Sequence, residues 1–140
     1  MNGDLLAISV VAAVFFGIVL IVLALLTRKR KKPLNVEYFT EKWNEAQKLC
    51  ARKETWPLAV ITADNILDEA LKKAGYKGKT MGERLVAAQR DLSDNDGVWF
   101  GHKLRNKLAH ETDVKLNKND VKDALIGIRQ ALRDLGAINK

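Results

Sequence analysis

Thr55-Trp56-Pro57-Leu58-Ala59-Val60-Ile61-Thr62-Ala63-Asp64-Asn65-Ile66-Leu67-Asp68-Glu69-Ala70-Leu71-Lys72-Lys73-Ala74-Gly75 reads from end to end as one amphipathic helix. Trp56, Val60, Ala63, Leu67, Leu71 and Ala74 return at three- and four-residue intervals, the spacing that lines up one face of a helix. Thr55 is a good N-cap, and Pro57 suits a first turn whose N–H groups have no partner in the helix. Gly75 then closes the segment as the residue that adopts a left-handed conformation at low cost. The intervening Asp64, Asp68, Glu69, Lys72 and Lys73 are expected on ordinary solvated faces.

Working outward from this helix, the same period continues on both sides. Toward the N-terminus, Val36, Phe39, Trp43, Ala46 and Cys50 make an apolar stripe on a helix expected over about residues 36–53. Toward the C-terminus, Thr80-Met81-Gly82-Glu83 is a capping box, followed by inward-facing Met81, Leu85, Ala88 and Leu92. Ser93-Asp94-Asn95-Asp96-Gly97 reads as a loop, and a further helix is expected from Val98 to Glu111. The last helix opens near Asn117 or Asn119, carries Val121, Leu125, Ile128, Leu132 and Leu135, and stops at Gly136. No strand-like alternation, internal repeat or low-complexity tract interrupts the series. The pattern predicts an all-α domain over residues 36–137, a compact four- to five-helix antiparallel bundle with short connections.

The first quarter of the chain has another composition. Residues 5–26 carry no charge and consist almost wholly of Leu, Ile, Val, Ala and Phe. A helix of that length spans about 33 Å, against about 30 Å for the hydrocarbon core of a bilayer. A transmembrane helix over 5–26 is therefore expected, with residues 27–35 as basic flank and linker ending near Pro33. A cleaved signal peptide fits less well: Met1-Asn2-Gly3-Asp4 holds an acid and no basic side chain, and the apolar run is too long. Arg28-Lys29-Arg30-Lys31-Lys32 follows the run directly, which places the N-terminus outside and the helical domain in the cytoplasm of a single-pass cell-membrane protein.

That flank also explains most of the +7 net charge. It holds five of the 24 basic residues and Asp4 is one of the 17 acidic ones, which leaves 19 against 16, or +3, for residues 34–140. The domain is only mildly basic, so charge alone does not call for a polyanionic partner. Cys50, the single cysteine, fits a reducing compartment and a place on an apolar face rather than a nucleophile.

One lookalike motif is set aside. Gly75-Tyr76-Lys77-Gly78-Lys79-Thr80 resembles a phosphate-binding loop, but the motif's first glycine would fall at Lys73 and a helix, not a strand, precedes it. Thr80 is better explained as a helix cap.

The segment Val98-Trp99-Phe100-Gly101-His102-Lys103-Leu104-Arg105-Asn106-Lys107-Leu108-Ala109-His110-Glu111 divides into three sectors when wound as a helix. Phe100, Leu104 and Leu108 are expected in the core, and Lys103 and Lys107 in solvent. The third sector gathers Trp99, His102, Asn106 and His110, with Arg105 and Ala109 at its edge. Both histidines of the chain thus share one face with an Asn and an Arg.

Within it, Arg105-Asn106-Lys107-Leu108-Ala109-His110 resembles the Arg-polar-x-x-x-His signature of HEPN domains (higher eukaryotes and prokaryotes nucleotide-binding). The similarity extends over residues 36 to 136 in helix number and order, while its specific part is this motif with Trp99 and Glu111 beside it. The resemblance implies a metal-independent endoribonuclease without cofactor, with Arg105 and His110 as the catalytic pair and Asn106 and His102 in support. RNA would supply its own 2′-hydroxyl as nucleophile. His110 would move the proton and Arg105 would stabilise charge on the phosphorus centre, leaving a 2′,3′-cyclic phosphate. Five residues of helix separate the pair by about 140° around the axis and about 7.5 Å along it. That offset favours a cleft shared across the two-fold axis of a homodimer. The competing reading keeps the fold and drops the chemistry: Arg105 pairs with Asp64 or Asp68, His110 faces the helix dipole, and the domain is a membrane-tethered interaction module.

Overall fold

The computed structural model describes the backbone of residues 2–26 and 32–139, and the side chains of residues 7–23 and 32–139. It divides into two units, Met1–Lys31 and Lys32–Lys140. All regular structure among the described residues is helical.

The first unit is α1 (Asn2–Leu26), 25 residues long. Its large apolar side chains are exposed on every side: Ile8, Val11, Phe15, Ile18 and Val22 on one face, Val10, Val14 and Ile21 on others. Among the described residues, no helix is long and apolar enough to cross a membrane. The expected span over 5–26 reaches beyond the described side chains at both ends, and most of the basic flank lies outside the described residues.

The second unit is built from α2 (Val36–Lys48), α3 (Trp56–Ala74), α4 (Met81–Ala88), α5 (Asn95–His110) and α6 (Lys118–Asp134). α3 is its axis and packs against each of the other four. Phe39, Leu67, Leu71, Leu85, Ile128 and Leu132 are fully buried around it. Each such side chain contributes about 1.5–3 kcal/mol by leaving water. The core reaches past the expected borders of 36 and 137, because Leu34 packs against it and Ile138 is part of it. A smaller cluster of Val60, Val121 and Ala124 gathers Trp56, Leu104 and Leu108.

The helix ends show how the sequence sets the boundaries. Asn35 caps α2 by accepting from the Tyr38 N–H at 3.0 Å. α2 stops at Lys48, short of the expected Lys53, and runs into 3₁₀ turns at Leu49–Ala51 and Lys53–Thr55. Arg52 between them is extended, with φ −127° and ψ 141°. The Thr55 hydroxyl lies 2.5 Å from the Leu49 carbonyl and 2.9 Å from that of Arg52. Thr55 thus satisfies carbonyls released by the turn instead of capping α3 as expected; Trp56 Nε1 does the same for Cys50 O at 3.1 Å. Gly75 ends α3 at φ 96°. Bonds from Tyr76 N to Leu71 O and from Gly75 N to Lys72 O complete a Schellman motif there. Thr80 caps α4 through the Glu83 N–H. Glu83, however, reaches back to the N–H of Lys79 rather than that of Thr80. Asn117 and Asp120 form a full capping box on α6.

α5 departs most from expectation. It begins at Asn95, because Asp94 accepts from the Gly97 N–H at 2.9 Å and turns the expected loop into a first helical turn. Its inward line is Val98, Gly101 and His102, whereas Phe100 is 41% exposed and Leu104 and Leu108 are half-buried. Glycine explains the rotation. A Cβ on Gly101 would stand 3.0 Å from the Ala124 carbonyl, and one on Gly127 would stand 2.2 Å from the backbone of Gly97. α5 and α6 therefore meet backbone to backbone, which turns Phe100 outward and brings Arg105, seven residues after Val98, onto the inward line.

Candidate functional site

The rotation of α5 delivers four polar side chains to one place. His102 is 8% exposed and Asp64, on α3, is 2% exposed. His102 Nδ1 lies 3.0 Å from Asp64 Oδ1. On the other side of the ring, His102 Nε2 lies 3.2 Å from Asn106 Nδ2. The Asn106 carbonyl oxygen accepts from Arg105 Nη1 at 3.2 Å. Arg105 Nε stands 3.6 Å from Asp64 Oδ2 in an ion pair. That Nε is buried and has no hydrogen bond. Trp99 meets the His102 ring edge-on, with centroids 5.8 Å apart at 72°.

His110 closes the row. It is the last residue of α5 and is exposed. His102, Arg105, Asn106 and His110 all line one cleft of about 590 Å³, with Lys79, Arg84, Asp64 and Asp68. The offset along α5 does not send Arg105 and His110 of one chain to separate surfaces.

Asp64 belongs to this site and not to a solvated face, which corrects the expectation for it. Burial pushes its carboxyl above the usual range, and the His102 hydrogen bond and Arg105 charge offset this only in part. One turn on, Asp68 faces Arg84, which is 6% exposed. Arg84 Nε donates to Asp68 Oδ1 at 2.8 Å, Nη2 approaches the same oxygen at 2.6 Å, and Nη1 donates to the Gly78 carbonyl at 2.6 Å. Burial raises the Asp68 carboxyl, but the bonds from Lys72 and Arg84 outweigh it and hold it below the usual range. Glu69 is likewise held low, bonded to Tyr38, Lys42 and Lys73 despite the opposing effect of burial.

Sequence reasoning named Asp64 only as one of two ion-pair partners for Arg105 and passed over Arg84, although a signal for both was present. Asp64 falls in the series Val60, Asp64, Leu67, Leu71, and Arg84 in the series Met81, Arg84, Ala88; both are charges on an apolar line. The phosphate-loop lookalike is a helix end followed by a cap, as expected. Lys79 nonetheless lines the cleft.

A second groove, of about 290 Å³, lies between Trp43, Cys50, Trp56, Val121 and Leu125. It is apolar at its floor and holds no histidine or carboxylate. Burial pushes the Cys50 thiol up, away from the reactive thiolate. Among the described residues, no group of three or more His, Cys, Asp or Glu side chains is placed to hold a metal ion. Compared with family models, curated proteins and solved structures, the chain shows no match.

Proposed function

We propose that this chain is a membrane-anchored, HEPN-like endoribonuclease that acts as a homodimer without a metal or cofactor. The observation that carries the reading is the shared cleft: Arg105, Asn106, His102 and His110, the residues of the motif and its flank, open onto one cavity with Lys79 beside them. Arg105 presents a permanently charged fork, and 31% of its side chain is exposed at the cleft. His110 is an accessible imidazole at the cleft's edge, suited to accept the 2′-hydroxyl proton or return one to the leaving 5′-oxygen. A twin subunit would bring a second set of the same groups to a bound strand.

The anchor is proposed on two supports. α1 is 25 residues long, about 37 Å at the usual rise, and it exposes apolar side chains all round, as lipid would require. The basic run after it would leave the helical domain in the cytoplasm.

The test uses the full chain in lipid nanodiscs with a single-stranded RNA and a chelator. Cleavage to 2′,3′-cyclic phosphate ends is expected, falling at least about a hundredfold in His110→Ala. Equal rates for that variant and the wild type would sink the catalytic assignment. One observation favours the alternative, a non-catalytic tethered module: Arg105 is already paired with Asp64 and bonded to Asn106 inside its own chain. That reading expects RNA to survive intact and Arg105→Glu to abolish self-association in light scattering.

A further inference from the structure

The hydrogen bonds around His102 run in one direction, and each link dictates the next. Asp64 is acceptor-only when ionised, so His102 Nδ1, 3.0 Å away, must carry the proton. His102 Nε2 is then a bare acceptor, which is what the Asn106 amide nitrogen at 3.2 Å requires. The Asn106 oxygen is thereby turned to Arg105 Nη1, a group that can only donate, at 3.2 Å. Reversing any link breaks another. A proton on Nε2 would face the Asn106 amide nitrogen, and flipping that amide would set its nitrogen against the guanidinium.

From this chain we infer that His102 is a positioning residue, held by Asp64 as the neutral Nδ1–H tautomer, which orients Asn106 and through it the Arg105 guanidinium, while His110 is the exposed imidazole of the cleft. The assignment of Arg105 and His110 to catalysis rests on the function proposed above; the tautomer and its effect on Arg105 do not. The charged groups around the ring agree with it. α3 offers Asp64 and Asp68, α4 offers Arg84, the loop before it Lys79, and α5 itself Arg105 and His110. Arg84 is occupied by Asp68 and Gly78, so it does not compete for Asp64. Trp99 covers the ring edge-on and contributes to excluding water. Buried imidazoles without such a partner have no reason to adopt this form, since the Nε2–H tautomer is the commoner one in water.

The chain has only two histidines, so the imidazole nitrogens of the full-length protein in detergent micelles can be resolved by nitrogen-15 NMR. The expected spectrum has one imidazole in the Nδ1–H form at neutral pH, assigned to His102 by its loss in His102→Gln. In Asp64→Leu, which leaves Nδ1 with no acceptor, that signal should lose the Nδ1–H pattern. A wild-type His102 in the Nε2–H form, or one unmoved in Asp64→Leu, would overturn the assignment. Asn106→Ala, at a half-buried position, guards against misfolding of the buried variant. It should keep the tautomer while the Arg105 guanidinium signals, distinct in the wild type, collapse to an average; signals that stay distinct would remove the positioning role. Where the wild type cleaves RNA, kcat of Asn106→Ala should fall about tenfold with little change in KM, and an unchanged kcat would equally remove that role. A wild type that leaves RNA intact defeats the proposed function, while the NMR outcomes still decide this one.

Discussion

Asp64 and Asp68 stand one turn apart on the same helix, each opposite an arginine, and the two corners behave in opposite ways. At Asp68 the arginine is used up: Arg84 spends Nε, Nη1 and Nη2 on a carboxylate and a carbonyl, and it is almost wholly buried. At Asp64 the arginine is spared. Arg105 keeps a 3.6 Å ion pair and one hydrogen bond to a neighbouring amide, and 31% of its side chain faces solvent. The first corner closes the loop after α3 onto the bundle. The second leaves a cation oriented but incompletely satisfied beside an open cleft, the condition in which a phosphate gains most by arriving. A buried charge with all its partners is architecture, and one with too few is a candidate for function.

The largest effect should come from the saturated corner. Arg84→Ala removes a buried partner from Asp68 and frees the Gly78 carbonyl, and the loss should be about 3 kcal/mol, the low end for such pairs because Lys72 still reaches Asp68. Urea unfolding measures it. If Arg84→Ala costs no more than Arg105→Ala, the distinction between the corners fails.

Next is the chemical asymmetry. Arg105→Ala should unfold within about 1 kcal/mol of the wild type, since the pair it breaks is partly solvated. On the function proposed above it should nonetheless lose about a hundredfold or more in RNA cleavage. Stability and activity measured on the same preparation separate the two, and a proportional fall in both would make Arg105 a second Arg84.

The carboxylates also predict opposite responses to pH. Asp68 is held low in the fold, so its stabilisation is present above the unfolded value near ~3.9 and is lost as pH falls through the lowered folded value. Asp64 is raised, so its contribution is complete below ~3.9 and is lost as pH rises through the raised folded value. Unfolding free energies of Asp68→Asn and Asp64→Asn, taken from about pH 3 to pH 7, should therefore diverge from the wild type in opposite directions. Parallel curves would show that the two carboxyls share one environment.

How much of this could be read from sequence follows from the same residues. The central helix was legible because its period, its proline and its closing glycine all agree, and Gly75 does sit at φ 96°. Thr80 was legible as a cap for the same reason, while the start of the last helix was left between Asn117 and Asn119 and the capping box fell to Asn117. The face of α5 was legible only in part: Leu104 and Leu108 do pack against the smaller cluster, but a 3.6-residue period takes no account of glycines and placed Phe100 inward with them. Backbone contact at Gly101 and Gly127 overrode it, exposing Phe100. The gathering of His102, Asn106 and His110 survived that rotation because they share a sector whichever way the helix turns. Their partner Asp64 came from another helix; the sequence offered it beside Asp68 as a partner for Arg105, and tertiary packing chose between the two and added the contact with His102.

The smallest effect sharpens what holds Asp68 in place. Lys72 lies 2.6 Å from Asp68 Oδ2, as close as Arg84 Nη2 comes to Oδ1, yet its own side chain is 57% exposed. Distance alone would rank the two cations as equals. Solvent decides otherwise, because an exposed lysine loses conformational freedom and gains only a screened attraction, which leaves about 0.5 kcal/mol or less. Lys72→Ala should accordingly barely shift the unfolding midpoint, and raising the salt concentration should erase what shift there is. A loss comparable with that of Arg84→Ala would mean that Asp68 is held from the solvent side, and the saturated corner would then be a surface feature rather than the clasp of the bundle.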